Sequence, residues 1–243
     1  MTSIDTFDNI DLLGFDVFGT VVDWRTSVAR ACEPFLRAHG IAADPLTFAD
    51  AWRGQYQPAM EEVRSGRRPW VKLDILTLEN LHRVLVQHGV NETDIPFTML
   101  AELNRCWERL EPWPDSVPGL LRLKRRFAIA PISNGNIAGM LRLARHGGLP
   151  WDVILGAEIG HGYKPQPAVY LASCAAAGVA PTEACMVAAH NNDLVAARAL
   201  GLRTVFLRRP LEHGLQQTTD LTAEHDWDVV AESMEEVADA LGC

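Results

Sequence analysis

The sequence predicts an α/β protein: a doubly wound, Rossmann-like parallel sheet with a helical cap domain inserted after its first strand. Three observations carry that expectation. The apolar segment 12–17 ends at Gly19-Thr20, as a buried strand running into a loop does. From about Val28 to Arg109 apolar residues recur at three- and four-residue spacings, with no strong strand signal between them. After Pro112-Trp113-Pro114 short apolar runs alternate with helical stretches, the pattern of βαβ units with helices on both faces of a sheet.

Taken in order, the helical block divides into amphipathic stretches at 28–39, 48–63, 73–88 and 98–110. Breakers at Gly40, Pro45, Gly66, Pro69, Gly89 and Pro96 separate them. Beyond Pro112 the strand candidates are 127–132, 153–155, 186–189 and 204–207. The helix candidates are 117–125, 137–146, 167–177, 191–200 and 233–241. The first strand belongs with this later sheet. The expected division is therefore a core of residues 1–23 and 112–243 and a cap of residues 24–111. Neither internal repeats nor low-complexity segments interrupt it.

Bulk properties narrow the function classes. The 243 residues are 48% hydrophobic and 22% charged, with a net charge of −9. An acidic balance argues against a nucleic-acid partner, and no apolar run reaches the roughly 18 residues of a membrane helix. The five cysteines are scattered and contain no CxxC, which reads as reduced thiols of a cytoplasmic protein with neither disulfides nor a zinc site. Residues 1–10 are polar and acidic, unlike a signal peptide. Lysine is scarce: Lys72, Lys124 and Lys164 are the only ones.

In doubly wound sheets ligands bind beyond the carboxyl ends of the strands. Four polar groups fall at such ends. Asp16, at the end of an apolar strand, is costly there unless loop amides hydrogen-bond it, and Gly19 allows a tight turn that aims those amides inward. A carboxylate so held can act as a nucleophile. Ser133-Asn134-Gly135 makes an anion cradle. Lys164, fixed between Tyr163 and Pro165, can neutralise Asp16. His190-Asn191-Asn192-Asp193 ends the next strand. Each has an ordinary structural reading taken singly: a turn-capping Asp, a common turn, a surface Lys, an Asp in the first turn of a helix and a hydrogen-bonded His.

Their order and spacing resemble the haloacid dehalogenase-like superfamily, with its DxxxGT/V strand end, Ser/Thr strand end, loop Lys and acidic strand end. The resemblance covers nearly the whole chain, including the cap after the first motif. Within the superfamily, Asp16-Val17-Phe18-Gly19-Thr20, Ser133-Asn134-Gly135 and Tyr163-Lys164-Pro165 with Tyr170 look like L-2-haloacid dehalogenases, as does Trp52-Arg53 on the second cap helix. A lone helical Arg is ordinarily a surface residue, and it is the family pattern that singles out Arg53.

That resemblance implies a hydrolytic dehalogenase that turns an (S)-2-haloacid into an (R)-2-hydroxy acid and halide without metal or other cofactor. Asp16 would displace the halide and form an ester, and Arg53 and Asn134 would stabilise the departing halide. Ser133 and amides near Val17 and Phe18 would hold the substrate carboxylate, while Thr20 and Lys164 orient Asp16. Asp193 would position or deprotonate the hydrolytic water, with Tyr170 and His190 beside the substrate. A homodimer formed through the cap is the implied assembly. The chain departs from well-known members at Ala188, where many have Ser, and at His190, where many have Asn.

The alternative is a Mg²⁺-dependent small-molecule phosphatase. Phosphatases of the superfamily usually carry a second Asp two residues after the nucleophile, to protonate the leaving group. Here that residue is Phe18, and Ala189 stands four residues before Asp193, where a second metal-binding acid often occurs. A halide leaves without a proton, so Phe18 suits dehalogenation. A non-catalytic relative that binds a carboxylate is a third reading. A phosphonate hydrolase would want a cap lysine, for which Lys72 is the candidate.

Overall fold

The computed structural model describes residues 7–91 and 93–243. The first six residues of the 1–10 stretch read above as polar lie outside the described residues. Strand β1 (Leu12–Phe15) leads to β2 (Val22–Asp23), then to helices α1 (Trp24–Ala38), α2 (Pro45–Gly54), α3 (Tyr56–Arg64), α4 (Leu73–Gln87) and α5 (Phe97–Asn104). A 3₁₀ turn, Arg105–Glu108, precedes β3 (Glu111–Pro112). Alternation follows: α6 (Ser116–Leu123), β4 (Ala128–Ser133), α7 (Ile137–Gly147), β5 (Leu155–Gly156), α8 (Ala157–Gly160), α9 (Pro167–Ala177) and β6 (Ala184–Ala188). The chain closes with α10 (Asn191–Ala199), β7 (Arg203–Leu207), β8 (Val229–Ala231) and α11 (Met234–Ala240).

Six strands form a parallel sheet in the order β5-β4-β1-β6-β7-β8. β1 is central, pairing Leu12 with Ala128 of β4 and with Ala184 of β6, and all four of its residues are buried. This explains its unbroken apolar run, since a strand covered on both faces needs no polar alternation. Because β1 lies between β4 and β6, a crevice opens past its carboxyl end, and Asp16 is the first residue beyond the strand. The chain leaves for the helical block and returns from it through a two-residue antiparallel ladder, Val22 with Pro112 and Asp23 with Glu111.

Local chemistry accounts for the helix starts. The Asp23 carboxylate accepts from the Thr26 N–H at 3.0 Å and begins α1. Asp44 accepts from the Thr47 N–H at 2.8 Å, with Pro45 in the first helical position of α2. Two expected helices need correction. The stretch 48–63 is two helices that break at Gln55, because Gly54 is a weak helix former and Pro58 has no N–H to donate to the preceding turn. The stretch 98–110 leaves α-helical geometry after Asn104. There Trp107 turns inward to an aromatic cluster, its ring 5.9 Å from Phe18, 6.2 Å from Trp24 and 5.6 Å from Trp52. The short strands β2, β3 and β8, two to three residues each, carry no pattern long enough to read.

The loop after β7 is bolted to this framework. Buried Arg209 donates through Nε to the Thr20 carbonyl at 2.9 Å and through its Nη1 to Asp115 at 2.9 Å. Asp115 also accepts from the Met234 N–H at 2.7 Å. Removing one partner of a buried pair leaves an uncompensated charge. Asp115→Ala is expected to lower stability by roughly 3 kcal/mol in urea denaturation, whereas replacing the exposed Glu33 of the Arg37 pair costs under about 1 kcal/mol.

Candidate active site

The carboxyl ends of β1, β4 and β6 deliver Asp16, Asn134 and His190 to one cleft of about 480 Å³, and the β5–α9 loop adds Lys164. The buried Asp16 carboxylate meets three side chains. Thr20 donates its hydroxyl to Oδ2 at 2.8 Å, His190 Nδ1 lies 3.1 Å from the same oxygen, and Lys164 Nζ lies 2.9 Å from Oδ1. Loop amides were the expected partners. The described hydrogen bonds to this carboxylate come from side chains instead, because the chain past Gly19 turns so that its N–H bonds the Val22 carbonyl at 3.1 Å.

Gly19 itself has another use. Its φ is +92°, a conformation costly for other residues. A Cβ placed there would stand 2.1 Å from Oε1 of Glu212. The glycine therefore makes room for a carboxylate from the loop beyond β7.

Lys164 is shared, its ammonium also meeting Asp193 Oδ2 at 2.5 Å. Asn134 fixes the lysine's position by accepting from the Lys164 backbone N–H at 2.7 Å. Tyr170 donates its hydroxyl to Asp193 Oδ1. The hydroxyl of Thr20 accepts from the Ala189 N–H at 2.9 Å, so its own hydrogen is left to point at Asp16.

These contacts set the charge states. Burial works against ionisation of Asp16, but Lys164 and His190 outweigh it and hold the carboxyl well below the ordinary carboxylate range. Burial also opposes the Lys164 charge, and Asp16 and Asp193 reverse that, raising its pKa. Asp193 is pushed above its usual value by burial and the neighbouring Asp16 charge, against the pull of Lys164. A carboxylate with raised proton affinity beside an ionised one is a usual arrangement for base and nucleophile.

The opposite wall is aromatic and cationic. The Arg53 guanidinium carbon lies 3.8 Å from the ring centre of Tyr56, 5.3 Å from Trp24 and 5.8 Å from Phe18. Its Nη1 is buried without a hydrogen-bond partner. Neighbouring Asp50, which could have paired with it, is taken by Arg25 at 2.6 Å. A guanidinium with an unused N–H among rings is a receptor for a small, weakly hydrated anion.

Among the sequence candidates, Asp16, Phe18, Arg53, Asn134, Lys164, Tyr170, His190 and Asp193 come together on the cleft wall. Thr20, Val17 and Ser133 do not line it. Thr20 backs Asp16, and Val17 accepts at its carbonyl from Val21 and Val22. Ser133 is fully buried and its Oγ accepts from the Gly135 N–H at 3.1 Å. Sequence reasoning missed Glu212 and the rings of Trp24 and Tyr56. Glu212-His213 lies past the predicted strand 204–207, so the rule that polar residues gather at strand ends could have reached it.

The donor set does not suit a magnesium ion. The Lys164 ammonium spans the two carboxylates that would share one, and the side chains of Ala189 and Phe18 offer no oxygen ligand. Among the described residues no helix is long and apolar enough to cross a membrane.

Residues 10–201 match the family model described as haloacid dehalogenase-like hydrolase. The crystal structure of a defluorinating L-2-haloacid dehalogenase is 45% identical, with a TM-score of 0.96 over 100% of this chain and 99% of its own. A second L-2-haloacid dehalogenase crystal structure is 43% identical, with a TM-score of 0.90 over 96% of this chain and 98% of its own. The (S)-2-haloacid dehalogenase 4A of Burkholderia cepacia is 26% identical over 244 residues, spanning 95% of this chain and 99% of that protein.

A group whose pKa is depressed on folding stabilises the fold above its unfolded value, 3.8 for Asp, and loses that contribution as pH falls toward the folded value. The stability difference between wild type and Asp16→Asn should therefore fall off below about pH 5, and above that should vary only where the His190 imidazolium, which Asp16 helps to hold, is lost. Below that, urea denaturation should show the wild type losing stability faster than the variant.

Proposed function

The chain belongs to the haloacid dehalogenase-like hydrolases, and from that premise we propose that it hydrolyses a short-chain (S)-2-haloacid to the (R)-2-hydroxy acid and halide through an ester on Asp16. The observation that carries this reading is the Arg53 guanidinium, held against three rings with a buried, unused N–H on the same cleft as an ionised Asp16. Chloride or bromide is the kind of anion such a receptor suits, because it is monatomic, weakly hydrated and needs no proton to depart.

In the proposed reaction Asp16 attacks the carbon that bears the halogen, opposite the leaving group, which inverts that centre. Arg53 receives the halide, with the Asn134 amide beside it, and Phe18 walls off water from the C–X bond. The substrate carboxylate is taken up at the Phe18 amide on the cleft wall, with buried Ser133 supporting the Asn134-Gly135 turn from behind through its bond from the Gly135 N–H. Lys164 and Thr20 hold Asp16 in line, an arrangement that lowers a barrier by about 7–11 kcal/mol at best. Asp193, raised in proton affinity and fixed by Tyr170 and Lys164, takes the proton of the water that attacks the Asp16 ester. His190 bounds the substrate on the Asp16 side.

We assign residues 24–111 to a cap domain that closes over the cleft of a core formed by 1–23 and 112–243. A homodimer formed through that cap would cover Ile75, Phe97 and Met99, which are exposed on α4 and α5. A cytoplasmic setting accords with the free thiols at Cys32, Cys106, Cys174, Cys185 and Cys243.

The test is halide release from each enantiomer of 2-chloropropionate with EDTA present, beside phosphate release from a generic ester with Mg²⁺. We expect chloride from the (S) enantiomer alone and (R)-lactate as product. Phosphate release without chloride release would overturn the reading in favour of a phosphatase. Asp16→Asn should lower turnover at least about a thousandfold. Arg53→Ala should cost on the order of 2–4 kcal/mol in kcat/KM while leaving the melting temperature within a few degrees.

A further inference from the structure

The reaction just outlined has no use for Glu212, although at 2% exposed it is more deeply buried than Asp16 or Asp193. Its carboxylate is fully engaged. Oε1 accepts from Trp24 Nε1 at 3.0 Å, and Oε2 lies 2.9 Å from His190 Nε2. Gly19 is shaped around it, and Arg209 anchors the loop that carries it. This is an expensive arrangement for a carboxylate that only fills space.

His190 stands between two carboxylates, with Nε2 on Glu212 and Nδ1 at 3.1 Å from Asp16 Oδ2. A neutral imidazole has one N–H and one lone pair, so it would turn a lone pair on one of these carboxylates. Only the doubly protonated ring satisfies both contacts. Lys164 with Asp193, Arg53 and His213 are the other charged or titratable groups around it. Asp220, also on the cleft, is occupied by the Asn191 amide. Burial opposes the imidazolium, but Glu212 and Asp16 raise its pKa well above the ordinary 6.5.

Asp16 Oδ2 thus accepts the Thr20 hydroxyl and has His190 Nδ1 3.1 Å away in an ion-pair contact, while Oδ1 accepts from Lys164. This asymmetry suits Oδ1 as the attacking oxygen and Oδ2 as the one left as the ester carbonyl. We propose that Glu212 is a positioning residue that holds His190 with a proton on both ring nitrogens, so that Nδ1–H and the Thr20 hydroxyl together stabilise the oxyanion on Oδ2 when water opens the Asp16 ester. The inference rests on the ester reading of the site. In that step water adds to Cγ of Asp16 and gives its proton to Asp193, while the Cγ–Oδ2 π pair moves onto Oδ2. The pair returns as the Cγ–Oδ1 bond breaks. Its electrons leave on the hydroxy acid oxygen, which takes the proton from Asp193, and the regenerated Asp16 acid releases a proton to solvent. His190 keeps both of its protons throughout.

The experiment is rapid-quench kinetics on Glu212→Gln with (S)-2-chloropropionate, followed by intact mass of the quenched protein. Gln retains the bond from Trp24 but removes the charge behind His190. We expect a chloride burst of one equivalent per site, then turnover slowed on the order of tenfold or more, with the substrate ester accumulating on the protein. The alkaline limb of the kcat profile should move to lower pH, because an imidazolium without Glu212 is lost sooner as pH rises. A uniform loss of burst and turnover with an unmoved pH profile would overturn the proposal, as would wild-type behaviour. Should the variant not fold, nitrogen NMR of the wild-type imidazole decides: two protonated ring nitrogens well above pH 6.5 support the proposal, and a neutral ring overturns it. Wild type releasing no chloride would remove the ester reading itself. Chloride release by wild type with an indifferent Glu212→Gln removes this inference alone.

Discussion

An ionised carboxylate at the buried end of a central strand is the constraint on which the rest of this molecule depends. Asp16 follows a strand covered on both faces, where a charge is costly unless opposite charge and hydrogen bonds surround it. The groups that meet it come from far along the chain. Lys164 is 148 positions away, and the Ala189 N–H that orients Thr20 is 169 positions from its partner. These contacts form only in the folded sheet, so the carboxylate that performs the proposed attack is also a strain on the fold that the site has to offset.

The parallel sheet solves the delivery problem. Every strand runs the same way, so every loop that leaves a carboxyl end emerges on one edge. Strands β1, β4, β6 and β7 send out Asp16, Asn134, His190 with Asp193, and Glu212 respectively, and the loop after β5 and its short helix sends Lys164. What looks like a concentration of function is a consequence of topology. Arg209 then holds the longest of these loops to Thr20 and Asp115, on the segments where the chain leaves for the helical block and returns from it, which keeps Glu212 close to His190.

The helical block contributes what the sheet lacks: aromatic rings and a cation that is not already paired. Trp107 leaves its helix to join Phe18, Trp24 and Trp52, and the cluster presents Phe18 and Trp24 to one side of the cleft. Arg53 sits on Tyr56 within it. The site therefore has two unlike halves, a hydrogen-bonded carboxylate network on the sheet side and an apolar box with a guanidinium on the other. Phe18 belongs to both, being two residues from Asp16 and facing the rings.

The sequence by itself determined the fold class and most element positions, because the strand runs and helical periods are local patterns with local causes. It also determined the four strand-end motifs, whose order and residue types need no coordinates, and through them the family. It misjudged one helix as continuous across Gly54 and Pro58, although both breakers were in plain view. Tertiary structure alone decided that His190 joins Thr20 and Lys164 around Asp16, why residue 19 must be glycine, and that Glu212 pairs with His190. A glutamate in a polar loop looks like any solvated acid in one dimension, since nothing in its neighbours shows that the loop folds back over His190. Burial and pairing are relations between distant segments, and here they turn an ordinary Glu and a departure from the family pattern at His190 into one connected device.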